Sequence, residues 1–185
     1  PGATSVPRPR SVRSRRNEKL KDFIKPMLAS IHEAPFDDAG WIFEVKWDGY
    51  RAIAEVSKGK TKLYSRNGLS FSSLYPAVAD ELKKFKDDII LDGEIVVLNH
   101  DNKPDFQKLQ QYDHHRSLPI VYYVFDCLFY KGKSLMHLPL IERKNIAKKA
   151  LPKSKIIRYS DHVGEYGVEF FSKVVEMDVE GIIAK

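Results

Sequence analysis

Within six residues, Lys46-Trp47-Asp48-Gly49-Tyr50-Arg51 offers an amine, a carboxylate and a guanidinium, directly behind the apolar stretch Trp41-Ile42-Phe43-Glu44-Val45. A strand would carry the lysine to its end, and the Asp-Gly pair would turn the chain there. Such a set suits phosphate chemistry. An amine attacks phosphorus only when neutral, and lysine ordinarily titrates near 10.4, so it needs burial or neighbouring positive charge to act as a nucleophile near neutrality. Arg51 can supply that charge and can also clamp a phosphate bidentately. A plain surface turn would carry the same residue types, so the rest of the chain has to decide between the two.

Other strand ends carry charge that a purely structural strand would not need. Leu63-Tyr64-Ser65-Arg66-Asn67-Gly68 ends on an arginine before an Asn-Gly turn. In Ile89-Ile90-Leu91-Asp92-Gly93-Glu94-Ile95-Val96-Val97-Leu98 two carboxylates interrupt an apolar run, separated by a glycine expected to let a ligand approach the backbone. A buried carboxylate without a partner is costly, so Glu94 is expected to meet a cation, a metal or a hydroxyl. Val179-Glu180-Gly181-Ile182-Ile183-Ala184-Lys185 repeats the pattern, with a glutamate before glycine and a lysine at the end. The histidines carry no such signal. His114-His115 lacks acidic or cysteine partners at metal-ligand spacing and reads as a solvated loop.

These groups need elements to hold them. Enrichment in β-branched and aromatic residues predicts strands at 41–47, 50–57, 61–66, 89–98, 120–129, 155–159 and 179–185. Helical spacing predicts helices at 76–86 behind Pro76, near 104–111, near 139–150 behind Pro139, and at 165–176. Helices fall irregularly between strands, and strands are expected to follow one another through turns such as Asp48-Gly49 and Asn67-Gly68. The expected class is α+β with mainly antiparallel sheet.

A chain of 185 residues is long enough for one domain with a sizeable core. No apolar run approaches the roughly 20 residues of a membrane span, and no apolar segment of signal-peptide type follows the N-terminus. Cys127, the single cysteine, excludes an internal disulfide and fits a reducing cytoplasm. The net charge of +6 is deceptive. Residues 1–17 hold Arg8, Arg10, Arg13, Arg15 and Arg16 and no acid, which is +5, so residues 18–185 carry +1. Bulk charge therefore gives no reason to make the body a nucleic-acid binder, and residues 1–20 read as a disordered basic linker or tail before a domain at 21–185.

In order, the charged runs resemble the nucleotidyltransferase domain of ATP-dependent DNA ligases over residues 26–185. Pro26-Met27-Leu28-Ala29 is similar to that family's opening signature, and Glu44-Val45-Lys46-Trp47-Asp48-Gly49-Tyr50-Arg51 to its first motif. Ser65-Arg66-Asn67-Gly68, Asp92-Gly93-Glu94, Phe125-Asp126 and Glu180-Gly181-Ile182-Ile183-Ala184-Lys185 resemble the motifs that follow, and Pro139-Leu140 with Glu142-Arg143-Lys144 the helix between the last two. One K-x-D-G arises by chance; five motifs in order do not. Phe43-Glu44-Val45-Lys46-Trp47-Asp48-Gly49-Tyr50-Arg51 further resembles ligase domains of bacterial end-joining proteins, which flexible linkers join to polymerase or phosphoesterase domains.

The resemblance implies that Lys46 attacks the α-phosphate of ATP and forms a lysine–AMP intermediate, later passed to a 5′-phosphate of nicked or broken DNA and displaced by a 3′-hydroxyl. It implies that Glu94 and Glu180 hold Mg²⁺ or Mn²⁺, with Glu94 alternatively taking a ribose hydroxyl, and that Arg51 and Arg66 face phosphate or ribose. It further implies that Phe125 stacks on adenine and that Lys185 lies near the α-phosphate. Glu44 shares a strand face with Lys46 under period-2 geometry and is placed to accept from the adenine amino group. RNA ligases and mRNA-capping guanylyltransferases share K-x-D-G, and a catalytically silent nucleotide- or nucleic-acid-binding module is the alternative of a different class. Members of the family continue into a fifth motif and an OB-fold domain beyond the position of Lys185. The 185 residues alone are therefore expected to bind ATP weakly, to adenylate themselves slowly if at all and to leave nicks unsealed, as a monomer in a bacterial-type cytoplasm, nucleoid-associated when acting on DNA.

Overall fold

The β-branched and aromatic runs form two sheets in a computed structural model that describes residues 23–185. The proposed basic tail at 1–20 lies outside the described residues. The larger sheet comprises β2 (Tyr50–Ser57), β3 (Lys60–Ser65), β4 (Ile89–Val97), β5 (Ile120–Tyr130) and β6 (Lys133–Ser134), in the order β3-β2-β4-β5-β6. β7 (Ile157–Tyr159) pairs with β5 in parallel, the one parallel ladder among the described strands. The smaller sheet sets β1 (Asp38–Val45) between β8 (His162–Glu165) and β9 (Ile182–Ala184), both antiparallel to it. Helices α1 (Pro76–Leu82), α2 (Phe106–Gln110), α3 (Leu140–Ala150) and α4 (Gly167–Glu176) complete the mixed architecture, so the α+β class with mainly antiparallel sheet holds.

Alternation along β2 explains why one sheet can serve both core and chemistry. Ala52, Ala54 and Val56 face a core that includes Leu63, Leu91, Ile95, Val97, Tyr122, Val78, Leu82 and Ala147. Arg51 and Ile53 face the other way. On β4 the same alternation gives that second face Ile90, Asp92, Glu94 and Val96, of which Ile90 packs with Ile53 and Val96 with Tyr123. The strand is thus apolar at its two ends on this face and acidic in the middle.

The turns differ from the expectation. Asp48-Gly49 closes no hairpin, because β1 and β2 belong to different sheets; it crosses between them. A Cβ on Gly49 would lie 2.1 Å from Ile95 O, so this crossover presses directly on β4. The two-residue hairpins are Lys58-Gly59 between β2 and β3 and Lys131-Gly132 between β5 and β6, both with positive φ at each position. Asn67-Gly68 lies beyond β3 in a turn whose amides at Asn67 and Leu69 donate to Ser65 Oγ. β6 (Lys-Ser) and β8 (His-Val-Gly-Glu) hold a single β-branched residue between them, so propensity did not mark them. Gly93 also has a different reason to be glycine: an added Cβ would sit 2.4 Å from Tyr123 O and 2.7 Å from the Tyr122 ring. The neighbouring strand, and not a ligand, fills the space.

Candidate active site

β9 determines what surrounds Lys46. Its pairing aligns Phe43 with Ala184, Glu44 with Ile183 and Val45 with Ile182, and the next amide, Lys46 N, donates to Gly181 O at 2.8 Å. Glu180 therefore arrives beside Lys46 from 134 residues away, and its carboxylate forms an ion pair with Lys46 Nζ. The Lys46 side chain remains 44% exposed, reachable from solvent. An open cleft of about 250 Å³ adjoins it, lined by Asp48, Pro104, Asp178, Val179 and Glu180.

Deeper in, Glu44 is 1% exposed. Its Oε2 accepts from Lys185 Nζ at 3.1 Å, and its Oε1 lies 3.0 Å from Lys144 Nζ. The latter contact is a buried ion pair at close range, so each oxygen of Glu44 faces a lysine ammonium. Lys185 Nζ also lies 4.1 Å from the centre of the Phe125 ring, and the Arg51 guanidinium 4.6 Å from it.

A bulge aims Phe125. The β4–β5 register passes from Asp92↔Asp126 to Gly93↔Val124, which makes Phe125 the extra residue. A regular strand would send Phe125 and Asp126 to opposite faces. Here the ring meets Arg51 and Lys185 while Asp126 pairs with Arg143 at 2.8 Å through both guanidinium contacts.

Arg51 is held by Asp92, with Nε to Oδ1 at 2.5 Å and Nη2 to Oδ2 at 2.7 Å. Burial pushes the Asp92 carboxyl upward against the pull of Arg51. Glu94 aligns with Arg51 across the strands yet forms no ion pair among the described residues. Burial, with Asp92 and Asp48 nearby, pushes its carboxyl up to about 8 despite the opposing pull of Arg51 and Lys46.

Two groups of contacts thus lie along the junction of the two sheets: Glu44, Lys185, Phe125 and Arg51 in one, and Lys46 with Glu180 in the other, with Glu94 opposite Arg51 on the neighbouring strand. Arg66 is exposed on the turn after β3 and has no hydrogen bond or ion pair among the described residues. Among the described residues no group of three His, Cys, Asp or Glu side chains is arranged to hold a metal ion. Sequence reasoning assigned no role to Asp92, Asp126, Arg143 or Lys144. The signal for the first two was a carboxylate inside an apolar run. For Lys144 it was a lysine on the helix face shared with Leu140 and Ala147, at i−4 and i+3. Trp47 was also passed over; it stacks on Tyr123 at 3.7 Å with planes 4° apart, and its Nε1 donates to Ser160 Oγ at 2.9 Å.

A family model described as ATP dependent DNA ligase domain matches residues 26–185. The chain is 31% identical over 188 residues to the multifunctional non-homologous end joining protein LigD of Pseudomonas aeruginosa, covering 99% of this chain and 22% of that protein. It is likewise 31% identical over 165 residues to the SPbeta prophage-derived DNA ligase-like protein LigB of Bacillus subtilis, covering 88% of this chain and 60% of that one. The chain therefore spans 22% and 60% of the length of these two curated relatives. Among solved structures, a mycobacterial DNA ligase D complexed with ATP and MES superposes with a TM-score of 0.75 at 29% identity, covering 86% of this chain and 53% of that one.

Proposed function

The chain belongs to the family of ATP-dependent DNA ligase domains, and from that premise we propose that Lys46 takes AMP from ATP and holds it covalently for transfer to DNA. The observation that supports this best is the solvent-reachable Lys46 amine beside an open cleft, although its ion-pair partner Glu180 is a carboxylate and not the neighbouring positive charge expected from the sequence. In the first step Nζ forms a bond to the α-phosphorus, the bond to the bridging oxygen of pyrophosphate breaks, and the amine loses a proton. Negative charge on the transferring phosphoryl is what the site must stabilise. Arg51, bonded to Asp92, and Arg66, exposed on its turn, are the cations offered to phosphate or ribose.

Glu44 reads the base: its buried carboxylate keeps a lone pair beyond those that face the two lysines, which suits an exocyclic amino group, and Phe125 offers its ring to the same purine. Lys185 touches both residues. A nucleobase that engages them displaces Lys185, which then turns toward the α-phosphate.

Glu94 and Glu180 are the carboxylates that would hold Mg²⁺ or Mn²⁺. The fit rests on Glu94, a partly buried carboxyl with no ion-pair partner among the described residues, and on the habit of Mg²⁺ of taking one or two carboxylates and completing its shell with water and phosphate. Such an ion would supply positive charge at the transferring phosphate. The AMP then passes to a 5′-phosphate of nicked or broken DNA, and a 3′-hydroxyl displaces it.

Incubation with α-labelled ATP or GTP in Mg²⁺ or Mn²⁺ tests the proposal. The expected result is a lysine-linked label from ATP on the wild type and none on Lys46→Ala. Label from GTP alone would reassign the chain to guanylyl transfer, and no label under any condition would leave it a silent binding module.

A further inference from the structure

Lys144 on α3 has no exposed surface. Removing an ammonium group from water costs several kcal/mol unless geometry restores its partners, and a Met or Leu on this helix face would avoid that cost. Burial indeed lowers the pKa of Lys144, and Glu44 opposes the shift. Stability alone therefore gives weak reason for a lysine here, since apolar replacements of buried ion pairs are often neutral or stabilising.

What Lys144 does touch is informative. Its Nζ donates to Ser160 O at 2.9 Å and to Phe125 O at 3.3 Å, and it lies 3.0 Å from Glu44 Oε1. These three partners come from the stretch between β7 and β8, from the bulge of β5 in the larger sheet, and from β1 in the smaller one. One ammonium group thus ties together the backbone that aims Phe125 and the carboxylate that faces the same space. It does so while leaving Glu44 Oε1 a further lone pair, because a carboxylate oxygen can accept twice.

We propose that Lys144 is the positioning residue for base selection: it holds the Glu44 carboxylate in register with the Phe125 ring, so that a purine bearing an amino group is accepted and one bearing a carbonyl there is rejected. The inference rests on the reading of Glu44 given above. A carboxylate oxygen fixed in a dry site accepts from the adenine amino group and repels the guanine carbonyl, and a site built this way discriminates strongly because the wrong base leaves buried polar groups unpaired. A carboxylate free to turn discriminates weakly.

Calorimetric titration of the protein with ATP and with GTP in Mg²⁺, for wild type, Lys144→Met, Glu44→Gln and the double variant, tests this. The wild type is expected to prefer ATP by at least about tenfold, and Lys144→Met to lose most of that preference. In the Glu44→Gln background, Lys144→Met should change the preference by less than about twofold, because the residue acts through Glu44. Lys144→Met with wild-type preference, equal losses for both nucleotides, or independent effects in the double variant would each overturn the proposal while leaving Glu44 as base reader. A wild type without preference would overturn the Glu44 reading and this inference with it. Should Lys144→Met not fold, Lys144→Arg, which keeps the charge but displaces the donors, carries the same comparison and is expected to fall between wild type and Glu44→Gln.

Discussion

Adding a single methyl group at Gly93 should cost this domain a large part of its stability. The Cβ of Gly93→Ala would lie 2.4 Å from Tyr123 O, so β5 would have to retreat by about 1 Å to reach the 3.4 Å of an ordinary contact. A ladder bond stretched that far is no longer a hydrogen bond. The Tyr122 ring is also in the way at 2.7 Å, and moving it strains two buried bonds, from its hydroxyl to Ala52 O at 2.9 Å and to Leu91 O at 3.2 Å. Overpacking a core costs about 1–3 kcal/mol and each lost buried hydrogen bond about 1 kcal/mol, so the expected loss is about 3–5 kcal/mol. Urea unfolding followed by tryptophan fluorescence measures it directly, and Trp47, stacked on Tyr123, reports on the affected strand. A loss below about 1 kcal/mol would refute the reasoning, because it would mean that β5 yields freely and that Gly93 is needed for something other than strand approach.

Glu94→Gln should reveal a pH-dependent cost in metal-free protein. With a folded value of about 8 against an ordinary 4.5, Glu94 holds a proton in the native state that the unfolded chain has released. Its stabilising contribution is therefore present below pH 4.5 and lost as pH rises to about 8. At 1.36 kcal/mol per pH unit this is at most about 5 kcal/mol, so Glu94→Gln should match wild type near pH 5 and exceed it by about 2–5 kcal/mol at pH 9; a constant difference across that range in urea titrations would contradict it. Arg143→Met, which strands Asp126 in a nearly buried site, should cost about 3 kcal/mol, whereas Arg143→Lys should recover only part of that because it restores charge without the paired bonds; equal stabilities by thermal melting would count against the pair. Burial pushes the Cys127 thiol up to about 12, so a thiol reagent at pH 8 should react only as fast as the protein unfolds, and prompt labelling of native protein would show the strand to be open.

What could be read from residues alone was whatever depends on local order along the chain. β-branched and aromatic runs marked β2, β4 and β5 within a residue or two because their side chains demand burial at strand spacing. Proline marked the first residues of α1 and the cap of α3 because its fixed φ favours a helix start. Helix 76–86 was overrun at its end: Leu82 is the last α-helical residue, and the amides of Lys83, Lys84 and Phe85 bond to carbonyls three residues back. Lys46, Glu44, Arg51 and Glu94 stood out because charge at the end or middle of an apolar strand has no structural motive.

Tertiary structure decided everything that links residues far apart. Glu180 reaches Lys46, and Lys185 reaches Glu44, only because β9 pairs with β1 across more than 130 residues. The Phe125 bulge depends on its register with β4, which no local pattern encodes. Lys144 sits on a helix whose sequence reads as one more solvated charged face, yet packing against β5 leaves it wholly buried. A sequence can nominate a charged residue for chemistry. Which carbonyls and carboxylates that charge will meet follows from strand pairing and packing, whose energies come from contacts the linear order does not contain.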